Sequence, residues 1–99
     1  MNKIEIFLLT KPPHSERAKL CLRMTEQSKN AVLYLAGDGV YNLFDVASLR
    51  LLPKEKILAR MEDLEARGLQ AGEQAIVPKD FYNLLIVDMI SEGNQIYTF

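Results

Sequence analysis

Two spacings alternate along this chain. Ile4 to Leu9 (IEIFLL) and Ala31 to Ala36 (AVLYLA) are short, nearly continuous apolar runs. Between and after them, apolar residues recur every three to four positions. A short run closed by turn residues predicts a strand covered on both faces, as in parallel sheets. Lys11-Pro12-Pro13 ends the first run, because proline donates no ladder hydrogen bond. Ser15 then reads as a helix N-cap, its hydroxyl taking up a free backbone N–H, with Glu16 at the positive end of the dipole. The predicted helix runs to about Ser28. At roughly 100° per residue, Leu20, Met24, Ser28, Cys21, Thr25, Ala18 and Leu22 share one arc, with Cys21 near its middle. Glu16, Lys19, Arg23, Glu26 and Gln27 take the other arc. Arg17 is the exception, projecting from the apolar side.

Gly37-Asp38-Gly39 follows the second run as a tight turn, with Asp38 as the expected cap of a short helix over Val40 to Val46. Leu49 to Lys54 reads as a connection holding Pro53. The next stretch, KEKILARMEDLEARGL, admits two readings. One is a single helix from Pro53 to Gly68, with proline in the first turn and glycine after the last. The other is a strand, Lys56 to Arg60, followed by a short helix, Glu62 to Arg67. Pattern alone favours the single helix. Gln74 to Val77 is a brief strand cut off by Pro78. Phe81, Leu84, Leu85, Asp88 and Met89 stand at helical spacing, with Gly93 as the stop. Ile86, Val87 and Ile90 widen that apolar surface, so this helix is expected to be covered on more than one side. Gln95 to Phe99 closes the chain as a strand. The alternation predicts one α/β domain over residues 1–99 with a mostly parallel sheet.

Composition narrows the function classes. Hydrophobic residues make up 48% of 99, enough for a core and for an apolar interface besides. The formal charge of −1 gives no long-range field that would draw in nucleic acid or an anionic membrane, and direct nucleic-acid binding is not expected. One cysteine forms no internal disulfide and is too few for a cysteine-based zinc site; neither a metal nor a cofactor is expected. The first apolar run is broken by Glu5 and lacks a small-residue cleavage site, a poor signal peptide. No stretch approaches the eighteen or so apolar residues of a membrane span. A cytoplasmic, reducing setting is the expectation.

The strongest nucleophile is Cys21, seven residues from the only histidine, His14. A functional reading makes it a thiolate, with His14 or Arg17 lowering its pKa. Against that, Cys21 lies nearly two turns into the helix, and seven helical residues span roughly 10 Å, beyond direct hydrogen bonding. Free cysteine is also among the most buried residue types. Gly37-Asp38-Gly39 can present N–H groups to an anion, but it lacks the third glycine of a dinucleotide fingerprint and the lysine of a P-loop. Glu62, Asp63 and Glu65, balanced by Arg60 and Arg67, read as a solvated helix face. Lys11, His14, Arg17 and Tyr41 are expected above the carboxyl edge of the sheet, where open α/β folds bind ligands.

Two blocks together resemble a known family. AVLYLAGDGVYNL, Ala31 to Leu43, resembles the strand and Asp-Gly-Val-Tyr turn of the small sulfur-relay subunits DsrH and TusB. MEDLEARGL, Met61 to Leu69, resembles their Glu-Asp-x-x-Ala-Arg-Gly segment. The length, a first strand followed by Lys-x-Pro, and the terminal aromatic Phe99 agree. The resemblance implies a strand before the acidic helix, and so selects Lys56 to Arg60 as a strand against the pattern preference. It implies a three-layer α/β/α sandwich around a five-stranded parallel sheet. It further implies a part in sulfur transfer, in sulfur oxidation or thiolation of a tRNA wobble uridine, mainly as a non-catalytic subunit. Related DsrE/TusD-like and DsrF/TusC-like subunits are the implied partners; self-association is the alternative. Some members carry a cysteine in the first helix. Cys21 is similarly placed and is thus the candidate persulfide carrier.

Overall fold

A computed structural model describes residues 3–45, 49, 52–91 and 93–99. Strand β1 (Glu5–Leu9) leads through a proline loop into helix α1 (Glu16–Gln27) and strand β2 (Ala31–Leu35). A 3₁₀ helix (Gly37–Phe44) follows, then a single 3₁₀ turn (Lys54–Lys56), strand β3 (Ile57–Ala59) and helix α2 (Met61–Ala66). Helix α3 (Phe81–Ile90) and strand β4 (Gln95–Thr98) complete the chain. The sheet is parallel, in the order β3-β2-β1-β4, with Ile6 beside Val32 and Ile96, and Leu33 beside Ile57.

The order follows from the residues. All five residues of β2 are buried, which suits a central strand. β4 has no fully buried residue, with Gln95 and Thr98 exposed and Ile96 and Tyr97 half-buried, and takes an edge. Successive side chains point to opposite faces, so each strand feeds two cores. Phe7, Leu9, Leu33, Leu35, Ile57 and Ala59 pack with Ala18 and Cys21 of α1, Leu64 of α2, and Val40 and Leu43 of the 3₁₀ helix. Ile6, Val32, Tyr34 and Leu58 pack with Phe81 and Leu85 of α3.

Helix α1 starts as its sequence predicts. The Ser15 hydroxyl accepts the Ala18 N–H at 3.1 Å, and Ser28 is the C-cap. The buried stripe is narrower than the apolar arc: Ala18, Cys21 and Thr25 face the core, whereas Leu20 is 44% exposed. Leu20 lies on the flank of α1, lining a groove with Phe7, Arg23 and Met24.

The expected α-helix over Val40 to Val46 is instead a 3₁₀ helix beginning at Gly37, and Val46 itself lies outside the described residues. Asp38 makes no cap bond; the N-cap is Ala36. Gly37 turns the chain at φ +55. Gly39 has a different reason to be glycine, because a Cβ there would stand 2.0 Å from the Leu9 carbonyl oxygen. The end of β1 therefore rests directly on the 3₁₀ backbone, which also receives the turn more tightly than an α-helix would.

The strand expected over Lys56 to Arg60 is present but shorter, Ile57–Ala59, and α2 follows it, so the single long helix that pattern favoured does not occur. Ile57, Leu58 and Ala59 are all buried between the two cores, a demand that a one-sided amphipathic helix would not meet. The run Gln74 to Val77 contributes one bridge, Ile76 to Leu58, rather than a strand. Helix α3 departs most from expectation. Only Phe81 and Leu85 are buried, and Tyr82, Leu84, Ile86, Val87, Met89 and Ile90 stay exposed. Among the described residues, no helix is long and apolar enough to cross a membrane.

Candidate functional site

Two places in the fold concentrate chemistry or surface. The first is a polar corner at the carboxyl ends of β2 and β3. Arg60 follows β3 and is the N-cap residue of α2, which puts Asp63 in the first turn of that helix. Asp63 Oδ2 accepts the Gly37 N–H at 2.7 Å and an Arg60 Nη1–H at 3.3 Å. Arg67, one turn on, donates from Nη1 to the Asp63 carbonyl at 2.9 Å and from Nη2 and Nε to Asp38 Oδ1 at 2.9 and 3.2 Å. The Arg60 guanidinium lies 5.0 Å from the Tyr82 ring centroid, and that of Arg67 lies 5.8 Å from Tyr41.

Asp63 is therefore not part of a solvated face: its side chain is 17% exposed. Desolvation pushes its carboxyl up, but the Gly37 N–H, the Arg60 hydrogen bond and the charges of Arg60 and Arg67 outweigh that and hold it below its ordinary value. Arg67 is raised, first by its hydrogen bond to Asp38. All three guanidinium nitrogens of Arg67 already donate, so the corner closes on itself. It clamps the 3₁₀ helix to α2. Asn42 extends the clamp toward β1, donating from Nδ2 to the carbonyls of Lys11 and Gly39 at 3.0 and 2.9 Å. It is fully buried, and its Oδ1 has no partner among the described residues.

The four residues expected above the carboxyl edge do not converge on one point. Lys11 serves through its backbone carbonyl. His14 is exposed, with positive φ, and its Nε2 stands 3.3 Å from Asp45 Oδ2. Arg17 donates to the Thr98 carbonyl at 3.3 Å and lies 5.7 Å from the Phe99 centroid. Tyr41 belongs to the Arg67 stack.

Cys21 is fully buried in the core under α1. Burial pushes its thiol up to about 12, against a smaller opposing contribution from its hydrogen bond with Thr25. At neutral pH this is a protonated thiol away from solvent, with neither the charge nor the access a nucleophile needs.

No family model, curated protein or solved structure matches the chain. The reading of function therefore rests on the residues themselves.

The second place is the outer surface of α3. Ile86, Val87 and Ile90 are 52%, 57% and 77% exposed. Asp88 is the only charged residue between Phe81 and Ile90, and it turns inward to accept the Tyr34 hydroxyl at 2.6 Å. The outer face is thus uncharged. Tyr82 fixes its orientation: it sits beneath Arg60, on the β3 side of the helix. Helical spacing puts Ile86 and Met89 on that same flank, and Leu84 and Val87 on the opposite flank, toward β1 and β4. Ile76, 37% exposed next to β3, continues the first flank. Exposed apolar side chains thus line the outer side of α3.

The sequence named Ile86, Val87 and Ile90 and expected their helix to be covered on more than one side; in this chain alone they stay exposed. It missed Asp63 as a hub. The signal was present in the i, i+4 spacing of Asp63 and Arg67, but solvated pairs share that spacing.

Proposed function

We propose that this chain is a non-catalytic subunit of a cytoplasmic sulfur-relay assembly of the DsrH/TusB kind. The observation that carries the reading is the uncharged, exposed apolar face of α3, which a stable working form of the protein would cover. Related DsrE/TusD-like and DsrF/TusC-like subunits are the proposed occupants of the Tyr82, Ile86 and Met89 flank. The architecture in this reading is a three-layer α/β/α sandwich, with Ile76 marking the place of a fifth strand beside β3.

Two further observations support it. The blocks that carry the resemblance meet in the fold: Gly37, Asp38 and Tyr41 of one engage Asp63 and Arg67 of the other. They act as a clamp, which suits a subunit that shapes a complex better than one that performs its chemistry. The only thiol is buried and protonated, which leaves sulfur transfer, in sulfur oxidation or tRNA wobble-uridine thiolation, to a partner's cysteine.

Co-expression with relay subunits of related fold, followed by native mass measurement, tests this. A mixed complex that Ile86→Glu disperses is the expected result. A chain that ignores such partners overturns the proposal.

A further inference from the structure

The two edges of the sheet are finished differently. On the outer side of β3, the chain supplies its own cover: the Ala59 N–H donates to the Ile76 carbonyl at 2.9 Å, and the Ile76 N–H to the Ile57 carbonyl at 2.8 Å. β4 is the other outermost strand. Its ladder to β1 uses Gln95, whose N–H reaches the Ile4 carbonyl, and Phe99, whose N–H reaches that of Leu8. Alternation then turns the N–H and carbonyl groups of Ile96 and Thr98 away from β1. A row of this kind is a template for another strand, and proteins blunt it with a charge, a proline or a bulge. The residues from Gln95 to Phe99 hold no charged side chain and no proline.

The charge that reaches this edge comes from α1. Arg17 Nη2 donates to the outward Thr98 carbonyl at 3.3 Å. Its guanidinium also lies 5.7 Å from the Phe99 ring centroid. That ring is held in place. The Phe99 carbonyl accepts the Thr10 N–H at 3.0 Å and the Thr10 hydroxyl at 2.8 Å, and the ring stacks with Phe7 at 6.5 Å. The needs of the helix do not explain an arginine at position 17. It stands in the first turn of α1, at the dipole end that favours carboxylates. It projects from the apolar side of the helix. Among the described residues, no carboxylate pairs with it. A side chain that breaks local preferences in two ways has its reason elsewhere in the fold, and here its contacts are with β4 and the residue after it.

We infer that Arg17 guards the open edge of the sheet, ending it at β4 by holding a charge against the carbonyl that a further strand would need. An incoming strand must take the Thr98 carbonyl as an acceptor. It must then pull the guanidinium off the carbonyl and the ring, or enclose it without a counter-charge. An unpaired buried charge is strongly disfavoured. A single hydrogen bond and a ring contact suffice for this task, because pairing is opposed by the desolvation of the charge rather than by the strength of its bond. Arg17 is exposed, so its loss should bare the edge without loosening the core. The guard lies away from the Tyr82 flank and does not rest on the proposed relay function.

The test uses the isolated full-length chain and compares Arg17→Gln with Arg23→Gln, which removes the same charge from the same helix. Sedimentation at increasing concentration is read beside NMR amide exchange at Ile96 and Thr98. In the wild type and in Arg23→Gln, these two amides should exchange at rates that concentration does not change. In Arg17→Gln they should slow at least about tenfold on concentration, as larger species form. Adding Ile96→Pro, which removes an outward N–H and no bond to β1, should abolish those species. Thermal unfolding of dilute Arg17→Gln should keep the wild-type midpoint. An Arg17→Gln chain that behaves as Arg23→Gln does overturns the inference. So do larger species that survive Ile96→Pro or leave the two amides fast, and a wild-type chain whose Ile96 and Thr98 amides slow when concentrated. An Arg17→Gln chain that unfolds would make Arg17 a support of the fold, and overturns it as well.

Discussion

At the β3 end of the sheet, polar groups meet polar groups of the same chain; on the outer face of α3, apolar groups stay exposed. Asp63 touches Gly37 and Arg60 and faces Arg67, while Ile90 is 77% exposed. The two regions differ in what their completion requires. Charge-assisted hydrogen bonds are satisfied by a few partners at fixed angles, and neighbouring turns of one small domain can supply them. Apolar surface is satisfied only by area, and 99 residues have limited area to give. The polar corner therefore defines the fold, and the bare helix defines what the fold lacks.

If the corner holds the fold, breaking it should cost far more than altering α3. The largest effect is expected at Gly39, where even the smallest side chain meets the Leu9 carbonyl. Gly39→Ala should destabilise the chain by about 4 kcal/mol, because the obstacle is backbone and cannot rotate away. Thermal unfolding checks this, and a loss below about 1 kcal/mol would show that the end of β1 yields freely. Asp63→Ala comes next. It leaves the Gly37 N–H and two guanidinium groups without their shared acceptor, a loss of about 2–3 kcal/mol. Asp63→Asn keeps an acceptor for Gly37 and should recover part of it. Asp63 lies below its ordinary value when folded, so its contribution is present above that ordinary value. It is lost as pH falls through the folded value, and acid unfolding of the wild type but not of Asp63→Asn should carry this component.

The cores on the two faces supply an opposite pH dependence. Burial raises Cys21 from 9.0 to about 12, and burial, then the bond to Asp88, raises Tyr34 above its ordinary 10.0. The folded state holds both protons longer than the unfolded chain does. Stability from Cys21 is complete below about pH 9 and falls by about 1.4 kcal/mol per pH unit as the pH rises toward 12. Tyr34 adds to that loss above pH 10. Denaturant unfolding between pH 8 and 11 should show the decline, and Cys21→Ala should delay its onset. Alkylation near neutral pH should reach Cys21 only on unfolding; rapid labelling of the native chain would restore the persulfide-carrier role.

How much of this was legible in the sequence depended on how many neighbours a residue needed. Ser15, the buried strands 5–9 and 31–35, and the helix from Phe81 follow from local spacing, and the structure has them. The strand at Ile57–Ala59 does not follow from spacing: IleLeuAla fits either element until two covering layers are known, and only the resemblance pointed to it. The tight contact at Gly39 needed the Leu9 carbonyl, thirty residues back. Asp63 needed Gly37 and Arg60 together. Apolar spacing placed Ile86, Val87 and Ile90 on a helix correctly, but spacing records only that a surface is greasy. Whether the same chain covers it depends on how many helices a four-stranded sheet receives on that face.

The smallest expected effect on stability is also the sharpest test of the comparison. Ile86 is 52% exposed and contributes little to the core beneath α3, so Ile86→Glu should change the unfolding free energy of the isolated chain by no more than about 0.5 kcal/mol. The new carboxylate would meet water in the isolated chain and apolar surface in an assembly, where an unpaired buried charge is strongly disfavoured. The same substitution should therefore leave thermal unfolding unchanged while abolishing any complex formed through the Tyr82 flank. If Ile86→Glu instead unfolds the chain, then α3 owes its place to that residue. The outer face would then be an extension of the core, and the contrast between a self-sufficient corner and a helix awaiting cover would fail.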